Sequence, residues 1–169
     1  MSRLLLAIVL AVAMPFAVAD VRELNWSDLI PPGAPPPPPP MPIHDLSQLA
    51  DVLSEAGPPI AQQSPAEPVV EELDGVNAKL PGYIVPLGMS AEGRVTEFLL
   101  VPYFGACIHV PPPPSNQIVY ATSELGVMVT ELYQPFWIEG PLNVEHASSE
   151  LAEAGYRMDA QKIYLYELE

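Results

Sequence analysis

The order of apolar and polar positions divides the chain into three regimes. The first is an almost unbroken apolar run, Leu4–Met14, behind a single base, Arg3. Pro15 breaks the run, and Ala17-Val18-Ala19 supplies the small-x-small pattern just before Asp20. This is the form of a secretory signal peptide, residues 1–19, cleaved after Ala19. The run is too short to span ~30 Å of hydrocarbon comfortably, and no stop-transfer pattern follows. The expectation is an exported chain with no membrane insertion after cleavage, periplasmic in a Gram-negative cell.

The second regime, 20–68, is a tail. Leu24–Ile30 is a short apolar patch around Trp26, followed by Pro31, Pro32, Pro35–Pro40 and Pro42. Six consecutive prolines adopt polyproline II, about 3.1 Å per residue. Such a tract is a stiff spacer or a ligand for an aromatic groove, and Trp26 could fold it back onto the rest of the chain. Leu46, Leu49, Ala50 and Leu53 then fall on one helical stripe, predicting a short helix over 45–56 with Asp45 as N-cap. Gly57 and Pro58-Pro59 end it, and 61–68 is linker in composition.

From Val69 the period changes to that of strands. Pro81–Leu87 is β-branched and aromatic, Gly88–Gly93 reads as a hairpin loop, and Arg94–Val101 alternates before becoming apolar throughout. Further strands are predicted at Gln117–Ala121, Val127–Leu132, Phe136–Val144 and Lys162–Tyr166, with Gly155-Tyr156 opening another and a short helix at Ser148–Ala154. Tyr83, Tyr103, Phe136, Trp137 and Tyr156 are expected to fill the interior. Short strands at this spacing predict an all-β compact domain over 69–169, a small, partly open β-barrel of OB-like form.

Composition narrows the partners. Twenty-one acids stand against six bases, a formal net charge of −15, which argues against nucleic acid and against docking on anionic lipid. The single cysteine excludes an internal disulfide and a four-thiolate zinc site. There is no G-x-S-x-G, no P-loop, no H-E-x-x-H and no dinucleotide fingerprint.

The most unusual string is Ala106-Cys107-Ile108-His109-Val110 before Pro111–Pro114. In an extended segment Cys107 and His109 would face one side, and a thiolate with an imidazole suits zinc or copper(I). Glu97 on the neighbouring strand is the nearest third ligand; His44 and His146 read as surface residues. Two other readings stay open. Cys107 can be a small buried residue with His109 a hydrogen-bonded loop residue, or Cys107 can be a nucleophile with His109 as its base.

Leu73-Asp74-Gly75, Leu80–Leu87, Glu97–Tyr103, Ala106–Pro114 with Asn116-Gln117, Trp137–Gly140 and Ala154–Tyr156 together resemble an uncharacterised family of small exported bacterial proteins. It is a domain-of-unknown-function family, and the resemblance covers roughly 70–169. The resemblance implies an exported protein, some of the family being lipoproteins. Their genes often lie near an ABC permease of the macrolide-exporter type and a histidine-rich periplasmic zinc protein, in clusters responding to zinc shortage. One departure is Asn77-Ala78, where a basic or β-branched strand start is usual, so that strand is expected to begin later.

The function expected is a non-enzymatic periplasmic accessory or binding protein in zinc handling, partnered by a periplasmic protein or the ABC permease. Cys107 and His109 would be its metal site. A metal-independent interaction module using the proline-rich tail is the alternative, and a thiol-dependent enzyme the third reading.

Overall fold

The computed structural model describes residues 20–34, 62, 64–107 and 110–167. The expected signal peptide, the Pro35–Pro42 tract, the helix 45–56, His44 and His109 lie outside the described residues. Nine strands are described: β1 (Arg22–Glu23), β2 (Val76–Met89), β3 (Arg94–Val101), β4 (Val119–Met128), β5 (Phe136–Asn143), β6 (Ala147–Ser148), β7 (Glu153–Ala154), β8 (Tyr156–Asp159) and β9 (Lys162–Leu165). Among the described residues the fold is all-β, its strands joined by short 3-10 turns.

Seven strands form one sheet in the order β1-β2-β3-β4-β8-β5-β9, and β2 also pairs with β5. The hydrogen-bonded path from β2 through β3, β4, β8 and β5 therefore returns to β2. The β4–β8 pair is parallel, as is the short β1–β2 pair; the others are antiparallel.

β3 occupies the residues its pattern predicts. Its apolar carboxyl half is explained by two cores. Phe98 and Leu100 enter the main cluster with Leu80, Ile138, Leu142, Tyr156 and Met158. Leu99 and Val101 face a second cluster with Val85, Ala106, Ile118 and three alanines. A strand covered on both faces loses its polar alternation.

Four expectations are corrected. β2 starts at Val76, not after Asn77-Ala78, because its first residues pair with β5, with Ala78 buried opposite Gly140. A side chain on Gly140 would press on the Asp159 carbonyl oxygen. The strands expected at 117–121 and 127–132 are one strand, β4, flanked by 3-10 turns at Ser115–Gln117 and Val129–Glu131. The helix expected at Ser148–Ala154 is the β6–β7 hairpin. Its turn is closed by Ser149, whose hydroxyl accepts from the Ala152 N–H at 3.0 Å, while Ala147, Ala152 and Ala154 are buried in the second cluster. Of the aromatics assigned to the interior, Phe136 and Tyr156 are there, whereas Tyr83 and Tyr103 border the second cluster and Trp137 is half-buried.

The stretch 20–30, which the pattern groups with the tail, is part of the core. Leu24 and Leu29 are fully buried in the main cluster. The Leu24 N–H donates to the Lys79 carbonyl at 2.9 Å, and the Trp26 indole donates to the Pro81 carbonyl at 2.7 Å.

Candidate functional site

The cysteine string does not run extended. Gly105 and Cys107 both have left-handed backbones, φ +82° and +66°. The Cys107 N–H donates to the Val110 carbonyl at 3.1 Å, and the Val110 N–H donates to the Gly105 carbonyl at 3.2 Å. The segment is a tight turn, so strand alternation does not apply at Cys107. The thiol packs against the second cluster, and burial pushes its pKa up to about 12. A thiol held protonated is a poor nucleophile at neutral pH.

Glu97, the expected third ligand, and His146, expected at the surface, each have their own surroundings. Glu97 accepts a hydrogen bond from the Tyr120 hydroxyl, which raises the phenol's pKa. The pair lies in a cleft of about 340 Å³ with Pro86, Leu87 and the Ser148–Leu151 turn. His146 is exposed and lies 3.2 Å from the Glu153 carboxylate. Among the described residues no three His, Cys, Asp or Glu side chains gather as a metal site.

The rest of the unusual string is a fastening. Pro111–Pro114 and Ser115-Asn116-Gln117 are buried. Gln117 donates from its amide to the Trp26 carbonyl at 2.9 Å, and Asn116 to the Pro68 carbonyl at 2.9 Å. The Ser115 hydroxyl accepts from the Glu67 N–H at 2.9 Å. Gln62 donates to the Pro113 and Glu153 carbonyls and accepts from the Glu153 N–H. Three consecutive polar side chains thus tie down two incoming segments, each satisfying a backbone group that burial would otherwise leave unpaired.

An apolar groove of about 250 Å³ opens on the other part of the surface, lined by Tyr83–Pro86, Phe104-Gly105 and Leu132-Tyr133. Its origin is the register of β2. β5 pairs with β2 only over Val76–Gly82, and β3 pairs from Tyr83 onward. Beyond Gly82 the edge of β2 opposite β3 has no strand beside it among the described residues. The turn after β3 brings Phe104 to the groove, and the segment after the Val129–Glu131 turn brings Tyr133. Phe104 is 59% and Tyr133 69% exposed, the largest exposures of aromatic side chains among the described residues. The rings of Tyr83 and Phe104 meet edge to face at 5.7 Å. Large exposed aromatics gathered round a groove mark a contact site rather than ordinary surface. The sequence reading missed it. Its signal was aromatic residues set beside turn residues, Phe104 before Gly105 and Tyr133 before Gln134-Pro135.

A family model described as "Protein of unknown function (DUF3299)" matches residues 26–165. The chain is similar to a protein of known crystal structure, a DUF3299 family protein from Pseudomonas aeruginosa PAO1. The identity is 67% and the TM-score 0.79, over 89% of this chain and 99% of that one. No curated protein matches the chain.

Proposed function

The chain belongs to the DUF3299 family of proteins of unknown function, and we propose that within it this protein is a non-enzymatic binding module of the exported space. It takes hold of a protein partner through the groove of Tyr83, Phe104 and Tyr133. The observation that carries this reading is the exposure of Phe104 and Tyr133 around an apolar groove, at a strand edge with no partner strand among the described residues. The ring of pairings closed by the parallel β4–β8 pair supports an OB-like barrel as the scaffold. The strongly acidic charge favours a protein partner over nucleic acid. A Cys107 thiol held protonated by burial favours binding over thiol chemistry. Zinc handling beside an ABC permease, which the family resemblance implies, supplies the setting. The groove reading does not depend on zinc at Cys107 and His109.

The test places a photo-activatable phenylalanine at position 133 in the native host. A control carries it at Tyr164, 40% exposed on β9. The reading expects one dominant cross-linked protein from position 133 that Phe104→Ser abolishes. Equal, diffuse cross-linking from both positions would refute it.

A further inference from the structure

We propose that two copies of this chain associate through β9, the two strands running antiparallel with Ile163 of one copy opposite Leu165 of the other. This surface is separate from the groove, and the inference does not depend on the groove reading.

Four observations carry it. The first is topology. β9 ends the sheet and pairs with β5 on one side. β4 accompanies β8 as far as Thr122, opposite Asp159, and its far end pairs with β3 through Val127 and Met128. The side of β9 away from β5 has no strand beside it among the described residues.

The second is the direction of the backbone groups. In an antiparallel pair the hydrogen-bonded positions alternate. The Tyr166 N–H donates to the Pro135 carbonyl at 3.0 Å, one step beyond the Leu165–Phe136 pair. Lys162, Tyr164 and Tyr166 therefore bond toward β5. The N–H and C=O groups of Ile163 and Leu165 point the other way, where a further strand can take them.

The third is the lack of edge protection. Edge strands are usually blunted by charge, proline or a bulge. Lys162 is the one charged residue of β9, and Glu139 of β5 holds its ammonium at 2.5 Å. Tyr164 and Leu165, on opposite faces of the strand, are 40% and 47% exposed. Tyr164 sits opposite Trp137, whose ring packs on Tyr166 at 5.2 Å. Exposed aromatics of this kind belong to the centres of interfaces.

The fourth identifies the occupant as a second copy. One two-fold pairing satisfies all four outward groups from within β9 itself, with Ile163 against Leu165 twice. Tyr164 then meets its own counterpart, Lys162 lies opposite a tyrosine, Tyr166, and no like charges face each other. Apolar, aromatic and cation–ring pairs of this kind stabilise a ladder. The charge distribution agrees. A net charge of −15 keeps copies apart, but the chain's two lysines, Lys79 and Lys162, both lie at this place, Lys79 over the Trp137 ring at 4.6 Å. Repulsion between copies is least there.

The experiment is sedimentation velocity on the purified full chain at rising concentration, where a monomer–dimer equilibrium is expected. Leu165→Pro removes one outward N–H from each copy and leaves the bonds to β5, so it should weaken the dimer about tenfold or more. Leu165→Lys should act likewise and serves as the second variant where proline disturbs the strand. In a Cys107→Ser background, Tyr164→Cys should oxidise to a covalent dimer because position 164 meets itself. Lys162→Cys should not, since its counterpart lies four residues along, about 13 Å away. Phe104→Ser should leave the dimer intact, and the host control at Tyr164 should then yield a product of two chains. A chain that stays monomeric up to about 0.5 mM overturns the inference. So does a dimer that survives both Leu165 substitutions, a dimer lost in Phe104→Ser, or equal disulfide yields from Tyr164→Cys and Lys162→Cys.

Discussion

Leu29→Ala tests whether the amino-terminal segment is structural. Leu29 is fully buried in the main cluster, and its carbonyl accepts a hydrogen bond from the Tyr156 hydroxyl at 2.8 Å. Removing three carbons from such a site costs the transfer free energy plus the cavity left behind, about 2–5 kcal/mol. Taking about 3 kcal/mol and a urea m-value of about 2 kcal/mol/M, the midpoint falls by about 1.5 M. A loss of about 3 kcal/mol is a fifth to three fifths of the 5–15 kcal/mol typical of a domain. The control is Leu151→Ala, on the partly exposed β6–β7 turn, where a change within about 0.5 kcal/mol is expected. Equal midpoints for Leu29→Ala and Leu151→Ala, measured by circular dichroism on the full chain, would refute the assignment of residues 20–30 to the core.

Three further outcomes are expected. Gly140→Ala, which drives a methyl into the Asp159 carbonyl, should destabilise by at least about 3 kcal/mol; Gly33→Ala, in open space at φ +86°, should cost only about 1 kcal/mol. Thermal melts of the two variants separate these values. Both folded and unfolded chains keep the Cys107 proton below about pH 8.5. Between there and about pH 12 only the unfolded chain releases it, so stability falls as pH rises and Cys107→Ser flattens that slope; iodoacetamide labelling of the native chain should stay slow through pH 9. Glu97→Gln should lower the titration point of Tyr120, because the carboxylate that accepts its hydroxyl proton is the first cause of its raised pKa. Ultraviolet difference titration of Glu97→Gln against Tyr120→Phe reads the shift.

Strands whose stability comes from their own side chains were legible in the sequence. Arg94–Val101 and Phe136–Asn143 carry enough β-branched and aromatic residues to declare themselves. Segments ordered by partners far along the chain were not. Asn77-Ala78 are poor strand formers locally, and Pro141-Gly140 opposite supply their pairing. Ser148–Ala154 has helical composition, but Ser149 closes a turn onto Ala152 and the alanines are drawn into the second cluster. The cysteine segment reads as extended in the sequence because nothing in Cys107 itself announces a left-handed backbone. Its four prolines did announce rigidity, and the buried Ser115-Asn116-Gln117 that follows shows what they hold in place. The groove was invisible for the same reason. It exists only because β5 stops at Gly82's partner, Phe136, and leaves the next residues of β2 open.

The hydrogen bond from Tyr156 to Leu29 spans 127 positions. Proteins are synthesised from the amino end, so the first stretch of this body to emerge is also among the last to find its place. Trp26 waits for Gln117, and Leu29 waits for Tyr156. Long-range closure of this kind slows folding and keeps apolar side chains uncovered in the interval. During that interval Leu24, Trp26 and Leu29 form an unsheltered apolar patch on the growing chain. A holding chaperone acting on this protein would find its grip there, and would lose it when the carboxyl-terminal strands arrive.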